Sequence, residues 1–340
     1  MDRISTKDMT RDQWLDQRHN GIGGSDVSSV LGLNPYKASA ELFYEKVLRI
    51  NQTEENEPMH WGKALEDIIA DRWQYWDGDP DGMIRNYNER KVIRKCQRLN
   101  AIIKNNDYPW LSANLDRVIL SRIAGKGVLE IKTVSGWAAD QWRDGIPPYY
   151  LIQLQTYLLV TGYRYGEIAI LRDGRYMEVI PFNREDQIID KIIEKTEVFW
   201  NNIVDARGLL EPYVSGKEIN CFNDFGDISI SDDVKRELSE LEPPPDDSVA
   251  YENYLKTRYK IQPVTKRGTP EQLAKAIEYL SFSEIIKGYE ARKRGISNEL
   301  KNDMAEAEML DFNGNGKITH KEDANGVKRF TVKVKGGKNE

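Results

Sequence analysis

Asp116, Glu130 and Lys132 are charged residues whose types and spacing could do chemistry together. Side chains alternate between the two faces of a strand, so Glu130 and Lys132 are predicted to project on the same side. If residues 112–133 form a hairpin centred on residue 123, Asp116 lies directly opposite Glu130. Their Cβ atoms would then be about 4.5–5.5 Å apart.

Two carboxylates at that separation repel each other unless a cation lies between them. Oxygen ligands favour Mg²⁺, with Mn²⁺ as a substitute. The competing interpretation is a solvent-facing ion pair on an ordinary amphipathic strand. Val128 and Val134 share the face of Glu130, however, and Leu129 and Ile131 occupy the other face. The hairpin is therefore predicted to be buried on both sides, where charged residues need a partner or a function.

A glycine-rich turn over Gly21–Asp26 is predicted to begin a helix that runs to Leu31 and ends at Gly32. Free N–H groups at such a turn suit a phosphate. Arg18, on a helix predicted at residues 10–20, could bind the same anion. Ser25 or Asp26 can cap this helix, and the alternative to a phosphate site is an ordinary glycine loop with a capping serine.

Polar residues interrupt two other apolar helices. Gln153 and Tyr157 are four positions apart, on one face of a helix predicted over Tyr149–Val160. Glu66 lies beside the apolar stripe of a helix predicted from Trp61 to about Trp76. It is either a surface glutamate or a third carboxylate directed towards the hairpin.

The order of elements predicts an α/β fold with a short central mixed sheet flanked by helices. The further elements are helices over Ala38–Val47 and Glu185–Asp205 and a strand pair, Tyr165–Leu171 and Tyr176–Phe182, that turns at Asp173-Gly174. Composition changes after Pro212. We therefore expect a domain at 1–215 and a mainly helical extension at 216–340, with helices over Ala250–Lys260 and Pro270–Leu310.

The segment Asp311–Glu322 matches an EF-hand calcium loop at several positions. A working EF-hand needs a second helix after the loop, whereas residues 328–334 alternate like a strand. We therefore predict a terminal hairpin from residues 317–320 and 329–334. A calcium-sensing adaptor is kept as an alternative.

Composition limits the function classes. The 340 residues are 39% hydrophobic and 31% charged, and no apolar run approaches the length of a membrane span. Cys96 and Cys221 have no C-x-x-C spacing, which fits a reducing cytoplasm and excludes a four-cysteine iron–sulfur cluster. The histidines are scattered, which gives no zinc pattern: His19, His60 and His320.

The net charge of −6 does not indicate a protein that coats nucleic acid. A basic run extends from Arg85 to Arg98. A solvated strand edge explains this run as well as contact with DNA does. Only the groove of a nuclease needs to be positive, so the overall charge leaves that class open.

Taken together, the motifs resemble the phage lambda-type exonuclease family, also called the YqaJ viral recombinase family, of the PD-(D/E)xK nuclease superfamily. The resemblance covers about residues 10–215. It depends on RHNGIGGSDVSSVLGLNPY with Arg18 and Ser25, WGKALED with Glu66, LSANLDRVI with Asp116, LEIKT with Glu130 and Lys132, and QLQTYLLVTGY with Gln153 and Tyr157. One departure is Asn114-Leu115 before Asp116, where a proline commonly precedes the aspartate.

The resemblance implies a restriction-endonuclease-like core and a role for each motif residue. Asp116, Glu130 and the carbonyl of Ile131 would bind Mg²⁺, and Glu66 would support a second ion. Lys132 would orient or activate the attacking water. Arg18 and Ser25 would bind the 5′-phosphate. Gln153 would order the metal site, and Tyr157 and Ser112 would support it.

The resemblance also implies a 5′-to-3′ exonuclease that resects double-stranded DNA ends for a single-strand-annealing recombinase. A homo-oligomer, in the form of a ring trimer, is implied as well, in the cytoplasm of a bacterial cell. An endonuclease on the same scaffold and a non-catalytic DNA-end-binding module are the alternatives. The intact set of Asp116, Glu130 and Lys132 favours catalysis.

Overall fold

The computed structural model describes residues 2–51, 55–136, 140–143, 145–261, 263–323 and 325–335. The chain divides into two compact units, residues 1–261 and 262–340. Composition placed the domain boundary at residue 215, but the first unit continues beyond it. Phe222, Phe225 and Tyr254 are buried in a core that residues before 215 also build, so residues up to 261 belong to the first unit.

The helices and strands of the first unit are as follows. The helices are α1 (Arg11–His19), α2 (Gly24–Val30), α3 (Ser39–Leu48), α4 (Glu57–Trp73), α5 (Pro80–Asn88), α6 (Pro148–Thr161), α7 (Asp186–Val214), α8 (Phe222–Gly226), α9 (Asp232–Leu241) and α10 (Val249–Arg258). The strands are β1 (Asp2–Ser5), β2 (Ile22–Gly23), β3 (Cys96–Gln97), β4 (Ala101–Lys104), β5 (Leu111–Ala113), β6 (Arg117–Ser121), β7 (Gly125–Val134), β8 (Tyr165–Arg172) and β9 (Tyr176–Asn183).

The central sheet is mixed and has the strand order β3-β6-β7-β8-β9. Strands β6 and β7 pair antiparallel from Arg117–Leu129 to Ser121–Gly125, which confirms a hairpin centred on residue 123. Strands β7 and β8 are parallel and need a crossover, which includes α6. The pairing of β8 with β9 confirms the predicted turn at Asp173-Gly174.

Both faces of this sheet are covered by apolar side chains. On one face, Leu129 and Ile131 of β7 pack with Trp73 of α4. On the other face, Val128 of β7 packs in a larger core with residues of the following elements, among them Leu154 of α6. The prediction that the hairpin is buried on both sides is confirmed over Val128–Ile131, while its turn at residues 122–126 is exposed.

A second sheet, with the order β1-β4-β5-β2, positions the glycine-rich turn. Strand β2 runs parallel to β5, pairing Ile22 with Leu111 and Gly23 with Ser112. Strand β5 leads directly towards Asp116. The pairing therefore brings the turn that follows Arg18 to the same end of the molecule as the carboxylate pair.

Some helices differ from their predicted bounds. Helix α4 begins at Glu57 rather than Trp61, because the Asn56 side chain accepts a hydrogen bond from the Met59 N–H at 3.0 Å and caps the helix. Helix α5 was not predicted, and its last residues lie within the basic run, so that run is not one strand edge. The sequence also predicts a polar, acidic loop over residues 51–58, and residues 52–54 of it lie outside the described residues.

The second unit contains α11 (Pro270–Met304) and a sheet of β10 (Met309–Asp311), β11 (Gly316–Glu322) and β12 (Lys328–Val334). Helix α11 ends at Met304, not at Leu310. The predicted terminal hairpin is confirmed, and β10 joins it as a further strand. Asp311 pairs with Lys317 inside this sheet, so the segment does not adopt the helix–loop–helix form of an EF-hand. Within the described ranges, no helix has the length and apolar character needed to cross a membrane.

Candidate active site

Asp116 and Glu130 face each other across the β6–β7 hairpin. Asp116 immediately precedes β6, and continuing the register of the hairpin places it opposite Glu130. Asp116 Oδ2 accepts a hydrogen bond from the Ile131 N–H at 2.8 Å. This bond fixes the aspartate against the strand that carries Glu130 and Lys132, as the hairpin spacing predicted.

The Glu130 carboxylate has one satisfied and one unsatisfied oxygen. Glu130 is 2% exposed, and its Oε1 accepts hydrogen bonds from Lys132 Nζ at 2.6 Å and Gln153 Nε2 at 2.9 Å. Its Oε2 is buried and accepts no hydrogen bond from the described residues. A buried carboxylate oxygen without a donor is costly. The described residues therefore provide no group that balances the negative charge at Glu130 Oε2.

The charges of the pair act on each other. Burial, and next the Glu130 carboxylate, raise the pKa of Asp116 well above its usual value. Burial lowers the pKa of Lys132, but Glu130 and Asp116 outweigh it, and the net effect is a raised pKa. Lys132 is thus held as a cation beside two carboxylates that repel each other.

Helix α6 supplies the support for Glu130. Gln153 Nε2, which donates to Glu130, also lies 2.8 Å from the Tyr157 hydroxyl. Helix α2 packs closely against this helix, because Gly24 has no side chain. A Cβ atom at Gly24 would lie 2.4 Å from the Tyr157 ring. The glycine therefore lets the turn after Arg18 approach the residues that hold Glu130.

Arg18 and Ser25 lie together, as predicted. Arg18 Nη2 donates to Ser25 Oγ at 3.2 Å and to Asp26 Oδ1 at 2.6 Å. Of the two candidate caps, Asp26 is the one that accepts a backbone hydrogen bond, from the Gly23 N–H at 3.1 Å. Ser112 Oγ donates to the Ile22 carbonyl at 3.5 Å and joins β5 to the turn.

One cavity of about 220 Å³ brings these residues together. Its walls include most of the predicted site residues, namely Arg18, Ser25, Ser112, Asp116, Glu130, Lys132, Gln153 and Tyr157. Trp14 and Asn114 also line it and were not predicted as site residues. In the sequence, Asn114 stood out only as a departure from a motif. Trp14 belongs to none of the motifs described above, so no sequence signal pointed to it.

Glu66 lies close to this cavity but is not part of its wall. Its Oε1 accepts a hydrogen bond from Arg98 Nη2 at 2.9 Å and a second from the buried Arg117. It still acts on the site, because its charge contributes to the raised pKa of Asp116. Arg117, which also pairs with Asp67, was not predicted.

The residues present fit a divalent cation of the magnesium type. Among the described residues, no three His, Cys, Asp or Glu side chains gather closely enough to hold a metal by themselves. Mg²⁺ does not need such a cage, since it is usually bound by one or two carboxylates and completes its shell with water and substrate phosphate. Asp116 and the unsatisfied oxygen of Glu130 provide these two carboxylates.

His19, next to Arg18, gives a pH-dependent stability. Burial, followed by the charges of Lys46, Arg49 and Arg207, lowers the pKa of His19 from 6.5 to about 4. Because the folded state binds the proton at His19 less readily than the unfolded state, the contribution of His19 to stability is expected to fall as the pH drops from 6.5 to about 4. The loss due to His19 is at most about 3 kcal/mol.

Thermal unfolding of the wild type and His19→Gln between pH 4 and 7.5 measures this effect. The variant should show a shallower dependence of Tm on pH across that range. Equal slopes would remove His19 as the cause.

Comparison with known proteins identifies relatives of this chain. Residues 13–164 match the model of the YqaJ-like viral recombinase domain. The chain is 31% identical to the uncharacterized protein YqaJ of Bacillus subtilis over 307 residues, which are 88% of this chain and 80% of that protein. Protein D345L of African swine fever virus is 37% identical over 60 residues, 18% of this chain and 17% of that protein.

Among solved structures, an alkaline exonuclease from Laribacter hongkongensis is similar, with a TM-score of 0.47 and 19% identity. The match covers 59% of this chain and 96% of the exonuclease. The relation to YqaJ extends over most of both chains, and the motif resemblance is thereby confirmed. The chain belongs to the YqaJ-like viral recombinase family.

Proposed function

We propose that this protein is a Mg²⁺-dependent deoxyribonuclease that degrades one strand of linear double-stranded DNA in the 5′-to-3′ direction from 5′-phosphorylated ends. The observation that carries this proposal is the single cavity that joins Asp116, Glu130 and Lys132 with Arg18 and Ser25. A catalytic group and an anion-binding group in one cavity suit cleavage at a fixed distance from a terminal phosphate.

Asp116 and Glu130 would hold Mg²⁺, with the Ile131 carbonyl as a further ligand and Glu66 supporting a second ion through water. Mn²⁺ would substitute. When bound, the ions stabilise the attacking and leaving oxygens of a phosphodiester displacement. Burial and, next, repulsion by Glu130 raise the pKa of Asp116. A cation would relieve that repulsion, which supports this assignment.

Lys132 would orient the attacking water and offset the charge that develops on the phosphate. Its ammonium is placed for this role by Glu130 and lies 5.0 Å from the centre of the Tyr150 ring. Gln153 Nε2 donates hydrogen bonds to Glu130 Oε1 and to the Tyr157 hydroxyl, and thereby connects the carboxylate to α6. These contacts keep the catalytic carboxylate in position before DNA binds.

Arg18 would bind the 5′-phosphate together with Ser25. The guanidinium has five N–H donors, and both bonds within the described residues use Nη2. The N–H groups on Nε and Nη1 therefore remain for a ligand. The side chain is 33% exposed and can be reached from the cavity.

Arg18→Ala is expected to reduce the preference for 5′-phosphorylated over 5′-hydroxyl ends by roughly 10–100-fold, because charge-assisted bonds to the phosphate are lost. The ratio of kcat/KM on the two substrates measures it. Arg11→Ala, on the same helix, is the matched control, since Arg11 pairs with Glu55 and does not line the cavity of about 220 Å³. An unchanged ratio in Arg18→Ala would refute the phosphate assignment.

A plasmid substrate tests the proposed activity against its alternatives. With Mg²⁺, linear DNA with 5′-phosphates should be degraded to single strands, while covalently closed circles stay intact. Cutting of closed circles would favour an endonuclease on the same fold. Tight binding of ends without hydrolysis in Mg²⁺ or Mn²⁺ would favour a non-catalytic end-binding module.

We further propose that the product is passed to a single-strand-annealing recombinase and that the protein works as a homo-oligomer, a ring trimer. Membership of the viral recombinase family supports the first of these. Co-purification with a single-strand-annealing recombinase, and the mass of the free protein by light scattering, test the two statements separately.

A further inference from the structure

A buried ion cluster lies behind Arg18. Asp26, which is 7% exposed, accepts hydrogen bonds from Arg18 Nη2 at 2.6 Å and from Lys46 Nζ at 2.8 Å. Lys46 Nζ also donates to the backbone carbonyl of Arg18 at 2.6 Å. The Lys46 side chain therefore contacts the main chain of Arg18 directly, and it is linked to the Arg18 guanidinium through Asp26.

The charges of this cluster determine what Arg18 can offer a ligand. Arg18 and Asp26 alone would form a neutral pair, and a phosphate approaching Arg18 would be repelled by the carboxylate behind it. The ammonium of Lys46 offsets that carboxylate. The three residues together carry a net charge of +1, which stays available to an anion at Arg18.

Lys46 cannot bind DNA itself, because it is only 3% exposed. Burying a lysine is costly, and burial lowers the pKa of Lys46. The Asp26 carboxylate, which lies 2.8 Å from Lys46 Nζ, acts in the opposite direction and favours the ammonium. Burial would raise the pKa of Asp26, but Arg18 and Lys46 outweigh it and hold that pKa far below its usual value.

We propose that Lys46 is a positioning residue that sets the net charge of the phosphate pocket, so that Arg18 retains its full attraction for a 5′-terminal phosphate of DNA. This inference rests on the proposed function. It assigns selectivity for the 5′-phosphate of DNA in part to Lys46, a residue that does not touch the substrate. It also gives a reason for a lysine that is buried on α3 beside Phe43 and Val47, where Glu45 is a second buried charged residue.

If Lys46 had only a structural role, its variants would behave differently. The experiment therefore has to separate the effect of the Lys46 charge from the effect of its packing. Lys46→Met removes the charge and leaves Arg18 and Asp26 as a neutral pair. The double variant Lys46→Met/Asp26→Asn removes both partners and returns the net charge to +1. If Lys46 acted only by packing or by holding the backbone of Arg18, the second substitution would not restore anything.

The measurement is kcat/KM on linear duplexes with 5′-phosphoryl and 5′-hydroxyl ends, together with thermal unfolding of each variant. Lys46→Met should reduce the preference for the phosphoryl end by roughly 10-fold, mainly through KM. The double variant should recover most of that preference. Activity on 5′-hydroxyl ends should change little in either. Lys46→Gln replaces Lys46→Met if the latter does not fold.

Arg49→Gln is the matched control, since Arg49 lies three residues after Lys46 but directs its guanidinium to Asp16 and Asn20. It should keep the preference. A wild type without any preference would overturn the phosphate assignment and this inference with it. A wild type with a preference that folded Lys46→Met retains, or that the folded double variant fails to recover, would overturn the inference alone.

Discussion

Replacing Lys132 by methionine is expected to lower the rate of DNA cleavage by roughly 10²–10⁴-fold, the usual contribution of a positioned acid–base group. Lys132 Nζ lies 2.6 Å from Glu130 Oε1 and lines the cavity that contains Asp116. The loss should appear in kcat, because the terminal phosphate would still be bound by Arg18. Single-turnover cleavage of an end-labelled duplex at saturating enzyme measures it.

Lys126→Met is the matched control for Lys132. It lies on the same strand, at the exposed end of the hairpin where it pairs with Leu120. Its activity should equal that of the wild type. DNA binding and the unfolding temperature should be similar in all three proteins, and full activity in Lys132→Met would remove this lysine from the mechanism.

Asp116→Asn is expected to abolish cleavage and to alter the response of stability to metal. In the wild type, burial and Glu130 raise the pKa of Asp116 above its usual 3.8. The folded state thus holds a proton more tightly than the unfolded state. Without metal, the contribution of Asp116 to wild-type stability should therefore be lost as the pH rises from 3.8 through the raised pKa.

In EDTA at neutral pH, Asp116→Asn should therefore unfold at a higher temperature than the wild type, because one of two facing charges is gone. Added Mg²⁺ should raise the Tm of the wild type but not of the variant, because the affinity of the variant for Mg²⁺ should fall by at least roughly 10-fold. Glu197→Gln, an exposed carboxylate on α7, is the control and should behave as the wild type. An equal Mg²⁺-induced shift in Asp116→Asn would contradict metal binding at this residue.

The features predicted correctly from sequence are those set by local pattern. Alternation within β6 and β7, and the short turn between them, fix the register that places Asp116 opposite Glu130. Gly162, with φ of 69°, follows the last residue of α6, and this end lies one residue from the predicted end at Val160. Such signals depend only on residues that are neighbours in the chain.

The features that were missed depend on partners far away in the chain. Lys46 meets Asp26 across 20 positions, and Arg117 meets Glu66 across 51. The unit boundary moved from 215 to 261 because Phe222 and Tyr254 pack into a core built by earlier residues. Helix α5 was missed because its capping residue, Asp79, lies among glycines and prolines that indicate a loop.

The most direct test of the account is the digestion of end-labelled linear duplexes with either 5′-phosphoryl or 5′-hydroxyl ends, in Mg²⁺ and in EDTA. The account predicts that nucleotides are released from the 5′ end in Mg²⁺, faster from phosphorylated ends, and that EDTA stops the release. Equal cleavage in EDTA, or no cleavage in Mg²⁺ or Mn²⁺ by the folded protein, would contradict a metal-dependent site at Asp116 and Glu130.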